Sequence, residues 1–396
     1  MTNRVDVLVI VPPRLERFRR AISVAFPAYL PVDSVPLRLA TAAQLAGYKV
    51  GYLPLYAMFP CLHGKDFAEI QKLLLRFIPR FVIIATDYHI SDRSIGTLYS
   101  TVKLAGMAEE IWPGVPQLYT GKVPCILRGD ALRLCKEIDA VFAGEPEQLL
   151  GDILRWLERR RPSEFPPFEG LIVRTASGVY DPGGFQWVED VDALPVPAYD
   201  LLLPLVDEIV SKTGKPSGLV DLSLRTSYGC PYSCAFCANT PHWQQHRLRS
   251  PASVARDVDH MMSNLGGKVR LAWVDDEVFT LVPSHVEGIA DVFEARNIKT
   301  LGVLTRAHAF SEEVAVHLKR MTEMVIFGAE NADPDVLRAI KKAQVLEDIC
   351  RASKIAKEHG MKVHLEWIVG LPGENLRTAL VNLNSIHNLV LSGVAD

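Results

Sequence analysis

The chain has no long basic run, no apolar stretch as long as a membrane span, no low-complexity segment and no internal repeat beyond an alternation of strands and helices. Each absence excludes a class. Lysine and arginine number 43 against 46 aspartates and glutamates, a formal net charge of −3. That balance implies no polyelectrolyte partner, and no basic stripe points to nucleic acid. A membrane helix needs about 20 apolar residues, and none of that length occurs. Val7–Val11 is too short for the core of a signal peptide and follows Asp6, so it reads as a buried first strand. The expectation is a soluble, cytoplasmic protein of a reducing compartment. The seven cysteines give no disulfide framework, and four of them, Cys61, Cys125, Cys135 and Cys350, are scattered and read as ordinary buried thiols.

The other three are not scattered. Leu224-Arg-Thr-Ser-Tyr-Gly-Cys230-Pro-Tyr-Ser-Cys234-Ala-Phe-Cys237 has the spacing C-x3-C-x2-C and follows an apolar run, Val220–Leu224, that reads as a strand. Three thiolates on one short loop can hold three irons of a cubane cluster and leave the fourth open to a substrate. Electron-transfer clusters use four cysteines, and no fourth lies nearby. The rival is a structural zinc site completed by His242 or His246. Zinc motifs favour paired C-x2-C units, and only one is present.

This motif, with the aromatic Phe236 before the last cysteine, resembles that of the radical S-adenosylmethionine (SAM) enzymes, and the upstream chain resembles a cobalamin-binding domain. The resemblance is to the cobalamin-dependent radical SAM family, in particular its class B methyltransferases, and it covers nearly the whole chain.

The periodicity agrees with two domains. Up to residue 160, apolar runs at Val5–Val11, Lys49–Leu55, Phe81–Thr86, Gln117–Gly121 and Ala140–Gly144 alternate with helical patterns, among them Ala131–Ile138. This predicts an α/β fold with a Rossmann-like, doubly wound parallel sheet. Ligands on such sheets sit beyond the carboxyl ends of the strands. There lie Pro12-Pro13-Arg14, Thr86 to Ser91, Thr120 to Lys122 and Gly144 to Glu147. Residues 161–215 read as a proline- and glycine-rich linker with one hairpin, Leu171–Arg174 with Gly178–Tyr180. Residues 216–396 show five βα units of a partial TIM-like barrel, with strands at Val220–Arg225, Val269–Val274, Thr300–Thr305, Met324–Gly328 and Lys362–Val369. The resemblance implies a sixth, for which only Val390–Val394 is available. The barrel therefore reads as short at the C-terminus, with an open edge suited to self-association or a partner chain.

The resemblance also implies site residues. A 4Fe–4S cluster on Cys230, Cys234 and Cys237 would chelate SAM, with Phe236 shielding the cluster. Asp275 and Glu277, closing the second barrel strand, would face the SAM amino group, or else be solvated acids at a helix start. Arg306, ending the third strand, would meet the SAM carboxylate or form a surface ion pair. Gly328 and Glu330, in Phe327-Gly-Ala-Glu-Asn331, resemble a G-x-E-S element that approaches the ribose or amino-acid part. Gly370 and Pro372, in Gly370-Leu-Pro-Gly-Glu374, match a GLPGE element beside the adenine. For cobalamin the candidates are Thr86, Tyr88, His89, Ser91, Thr120, Gly121, Gly144 and Glu145. The D-x-H-x-x-G element of methionine-synthase-type domains is missing after the first strand, and Thr120 stands where relatives show glycine. The implied activity is methyl transfer to an unactivated carbon of a small molecule or peptide through a 5′-deoxyadenosyl radical. Flavodoxin or ferredoxin would donate electrons. Alternatives are rearrangement, cyclisation or oxidation without methyl transfer, or a non-catalytic metal-bound binding protein.

Overall fold

The structure, a computed structural model, describes residues 3–13, 31–59, 62–86, 94–159, 164–214, 217–238 and 244–396. The chain divides into two compact units. One comprises Met1–Leu222 and Asp257–Arg270, the other Ser223–Arg256 and Leu271–Asp396.

In the first unit the apolar runs form β1 (Val7–Val11), β2 (Val50–Pro54), β3 (Phe81–Thr86), β4 (Gln117–Gly121) and β5 (Ala140–Phe142). They are buried throughout and pair in parallel, as expected of strands covered on both faces. Two further strands, β6 (Leu171–Thr175) and β7 (Gly178–Tyr180), complete a seven-stranded sheet in the order β7-β6-β5-β4-β3-β1-β2. The order reverses between β1 and β3, so the crevice for a ligand lies at the carboxyl ends there.

Two expectations change here. The hairpin expected within a linker belongs to this sheet, with β6 antiparallel to β5. The helix expected over 131–138 runs over Gly129–Leu134 and ends there, and a second short helix, Lys122–Leu127, precedes it. They break at Arg128, whose φ is 48° and whose Nε donates to Asp181 at 2.9 Å.

The second set of strands is β8 (Val220–Leu224), β9 (Ser227–Tyr228), β10 (Arg247–Leu248), β11 (Val269–Val274), β12 (Gly302–Thr305), β13 (Met324–Glu330) and β14 (Lys362–Trp367). Strands β8, β11, β12, β13 and β14 lie side by side in that order, and β11 to β14 pair in parallel. No closing pair joins β14 to β8 among the described residues, so the barrel is partial.

The expected sixth strand is not present. Helix Leu376–Leu391 runs through Val390, started by a capping box in which Asn375 accepts from the amides of Arg377 and Thr378. Gly393, at φ 69°, follows it, and Asp396 then bonds the free edge of β14. The Asp396 amide donates to the Val363 carbonyl at 3.0 Å, and the Asp396 carboxylate accepts from the Val363 amide at 2.8 Å.

Candidate active site

The cysteine loop leaves the carboxyl end of β8 and is closed at its base by the β9–β10 ribbon, where Ser227 faces Leu248 and Tyr228 faces Arg247. A turn from the Cys234 carbonyl to the Cys237 amide and a bond from the Ala235 amide to the Ile340 carbonyl hold its tip. Cys234 is buried, while Cys230 and Cys237 are partly exposed. Burial pushes the Cys230 thiol up to about 11. Among the described residues no group of three His, Cys, Asp or Glu side chains is placed as metal ligands are. The donor chemistry nevertheless suits an iron–sulfur cluster: three thiols, with a guanidinium beside the innermost. Arg306 Nη1 donates to Cys234 Sγ at 3.1 Å. His242 lies outside the described residues. Burial holds His246 below its usual pKa.

The acids after β11 carry the loop. Glu277 accepts from Arg225 Nη1 at 3.1 Å and from the Gly229 amide, next to Cys230, at 3.2 Å. Asp275 accepts from Arg225 Nη2 at 3.3 Å. Both are therefore paired with a buried cation that the sequence did not single out. Asp276, between them, is 1% exposed. It accepts from the Thr226 amide at 2.7 Å, the Thr226 hydroxyl at 2.6 Å and the Ser227 hydroxyl at 2.8 Å. Burial nonetheless raises its pKa to about 6, against those hydrogen bonds. The Thr226 hydroxyl also meets His285 Nε2 at 3.0 Å, and burial lowers His285 to about 4, with His246 and Arg249 adding to the shift.

The end of β13 is built differently. A bulge shifts the register between Gly328 and Glu330, and Glu330 takes a φ of 63°. Its carboxylate is buried against Lys342 Nζ at 2.7 Å, and that ammonium also lies 5.9 Å from the centre of the Phe236 ring. Lys341 and Ala343, on either side of Lys342, have φ of 54° and 52°. Left-handed backbone costs energy in residues other than glycine, so three such residues around one ion pair mark a strained, built site. A Cβ at Gly328 would sit 2.5 Å from Glu330 Oε1 and 2.9 Å from Lys342 Nζ, which explains the glycine. Lys342 was not legible in the spacing, because the turn that delivers it has no glycine to announce it.

After β14, Gly370 and Pro372 form an exposed turn around buried Leu371, which packs on Val336, Leu337 and Ile340. Glu374 closes that turn, accepting from the Gly370 amide and, at 3.0 Å, from Asn331 Nδ2.

In the first unit, Thr86, Thr120 and Gly121 come together where β3 and β4 end. Gly121 has φ 118°, and a Cβ there would meet the Thr86 carbonyl oxygen at 1.8 Å. Thr120 is fully buried, and its hydroxyl has no partner among the described residues, an orphan polar atom of the kind a ligand satisfies. Gly144 and Glu145 serve the fold: they bond the Gln186 backbone, and Glu145 Oε2 accepts from the Val188 amide at 2.8 Å. Tyr88, His89 and Ser91 lie outside the described residues.

This loop of three cysteines on a partial parallel barrel is the architecture of a radical SAM domain, and residues 224–383 match the model of the Radical SAM superfamily. That stretch, about two fifths of the chain, is thus similar to the radical SAM domain. The chain is 26% identical to an uncharacterized methyltransferase of Pyrococcus horikoshii, over 93% of this chain and 74% of the relative. To the anaerobic magnesium-protoporphyrin IX monomethyl ester cyclase of a Synechocystis species it is 23% identical, over 76% of this chain and 58% of the relative. Among solved structures it resembles the radical SAM methyltransferase TsrM from Kitasatospora setae, solved with cobalamin and a 4Fe–4S cluster. The TM-score is 0.69 and the identity 18%, over 98% of this chain and 70% of that one. The cobalamin-dependent radical SAM enzyme OxsB, solved with aqua-cobalamin and SAM, gives a TM-score of 0.70 and 16% identity, over 96% of this chain and 52% of that one. The fold is therefore one shared with cobalamin-dependent radical SAM proteins. The chain spans about half to three quarters of the length of these four relatives.

Proposed function

We propose that this protein is a cobalamin-dependent radical SAM methyltransferase that acts on an unactivated carbon of a small molecule or peptide. The observation that carries the reading is the cysteine loop, held at the carboxyl ends of the strands beside a buried guanidinium and a strained Glu330–Lys342 pair. When bound, a 4Fe–4S cluster would supply the electron that cleaves SAM, and cobalamin would carry the methyl group.

The chain's own residues do the rest. Cys230, Cys234 and Cys237 would hold the cluster, and Phe236 would shield it. Glu277 fixes the start of the loop through the Gly229 amide. Glu330, kept in place by Lys342, would accept from a hydroxyl or ammonium of SAM, to which Gly328 allows close approach. The turn at Gly370 and Pro372 would border the adenine. Thr86, Thr120 and Gly121 would face the cobalamin tail, where the orphan Thr120 hydroxyl finds a partner. An electron donor such as flavodoxin or ferredoxin, and a cytoplasmic location, complete the reading.

The test is anaerobic reconstitution with iron, sulfide and cobalamin, followed by metal analysis and visible spectroscopy. We expect about four irons per chain, the number set by the cubane, a corrin spectrum, and methyl gain by the product when methyl-labelled SAM is supplied. Any one of Cys230→Ala, Cys234→Ala or Cys237→Ala should abolish iron uptake, whereas Cys125→Ala should not. Zinc alone in the wild type would sink the proposal. The likeness to the ester cyclases favours one second reading, ring closure without methyl transfer. A product that loses hydrogen and gains no label would select it.

A further inference from the structure

Arg306 is 5% exposed and 72 residues from Cys234, yet its Nη1 reaches the sulfur of that cysteine at 3.1 Å. Its position is over-determined. The guanidinium carbon lies 3.9 Å from the centre of the Tyr232 ring, and Tyr232 sits in the loop midway between Cys230 and Cys234. Nε faces His308 Nδ1 at 3.5 Å. His308 Nε2 in turn meets the Tyr232 hydroxyl at 2.7 Å, with the two rings edge to face. With Nδ1 accepting from a guanidinium, the proton of a neutral His308 is assigned to Nε2, which donates to the Tyr232 oxygen. Burial and the adjacent Arg306 both lower the His308 pKa, consistent with a neutral ring. Nη2 is buried with no partner among the described residues. The guanidinium thus has one N–H on a thiol sulfur and spare donor capacity beside it.

We infer that Arg306 sets the reduction potential of the iron–sulfur centre by a charge-assisted N–H···S bond to Cys234, with Tyr232 and His308 as the positioning residues that hold it there. The inference rests on the cluster reading above. The physical reason is direct. Reduction adds one electron, and hence one negative charge, to the cluster and its thiolates. A cation hydrogen-bonded to one ligand sulfur stabilises the reduced form more than the oxidised one. A guanidinium suits the task because it stays protonated and stacks flat on an aromatic ring, which an ammonium does less well. Removing it makes the cluster harder to reduce without removing any ligand.

The experiment is a redox titration followed by electron paramagnetic resonance on the reconstituted full chain, comparing wild type with Arg306→Lys, Arg306→Met and His308→Ala. Arg306→Met should keep its iron and shift the midpoint to more negative potential. Arg306→Lys should fall between it and the wild type, and His308→Ala should shift in the same direction by less. An Arg306→Met protein with full iron and an unchanged midpoint overturns the inference while leaving the cluster reading intact. A wild type that takes up no iron overturns both. If Arg306→Met fails to hold iron, the wild type decides. Protein grown with nitrogen-15 arginine should show a nitrogen-15 coupling to the reduced cluster by pulsed resonance, and no such coupling would overturn the assignment.

Discussion

Asp276 and Glu330 are both acids at or just beyond the end of a strand in one sheet, and both are buried, yet they are held in opposite ways. Asp276 is surrounded by neutral donors, two hydroxyls and an amide, on a normal backbone. Glu330 has a cation 2.7 Å away and sits on a left-handed backbone, with two more left-handed residues flanking that cation. The first arrangement rivets the cysteine loop to the sheet. The second holds a carboxylate where strain is tolerated, as at sites that await a ligand. Both are buried carboxylates near a strand end; the partner separates structure from chemistry.

The largest effect should come from breaking the Glu330–Lys342 pair. Lys342→Met leaves a buried carboxylate without its cation, which costs roughly 3–5 kcal/mol. Urea unfolding should show that loss, and SAM affinity of the reconstituted protein should fall at least tenfold. Adding Glu330→Gln to Lys342→Met should recover much of the stability and none of the affinity. If Lys342→Met unfolds like wild type, the pair is not the organising contact of this strand end.

A mid-sized effect concerns pH. An acid whose folded pKa, about 6, lies above its unfolded value binds protons more tightly when folded. Its stabilisation is therefore full below about pH 4, the unfolded pKa of an aspartate, and is lost as pH rises through 6. His285, pushed down to about 4, behaves oppositely, and stability rises with pH from there to the ordinary histidine value near 6.5. Each shift is worth on the order of 3 kcal/mol, and both act on the same Thr226 hydroxyl, so in the wild type they nearly cancel between pH 4 and 6. Asp276→Asn should expose the His285 rise, and His285→Asn the Asp276 fall, in urea unfolding at stepped pH. Parallel pH profiles for the two variants would show that neither group titrates in this window.

The comparison also explains what the sequence could reveal. Strands β3, β4 and β11 were legible to the residue, because turn or charged residues flank them: Pro79 and Arg80 before β3, Gly114 and Pro116 before β4, and Gly266 to Lys268 before β11 with Asp275 after it. The cysteine spacing and the strand-end acids were legible too. Partners were not. Arg225 reaches Glu277 across 52 positions, and Lys342 reaches Glu330 only because Lys341 and Ala343 turn left-handed, for which the sequence has no marker. Val390, Leu391 and Val394 are apolar enough to suggest a strand, yet the first two end the C-terminal helix. The better signal was Asn375 with Thr378 three positions on, a helix start that commits the residues after it.

The smallest effect should come from a third strand-end acid, Glu374, which is only half-buried. One oxygen accepts from Asn331 just past β13, and the other from the Gly370 amide past β14, so it ties the two exits together without meeting a cation. Glu374→Gln keeps one acceptor oxygen and turns the other into a donor facing a donor. One hydrogen bond is then lost, worth about 1 kcal/mol where water can reach the site. The melting temperature should drop slightly and SAM affinity should weaken only a few-fold, because the Gly370 turn loosens while Glu330 stays paired. Should Glu374→Gln prove as damaging as Lys342→Met, in stability and in affinity alike, the tie between the two strand exits would be what shapes the site, and the buried ion pair would be secondary to it.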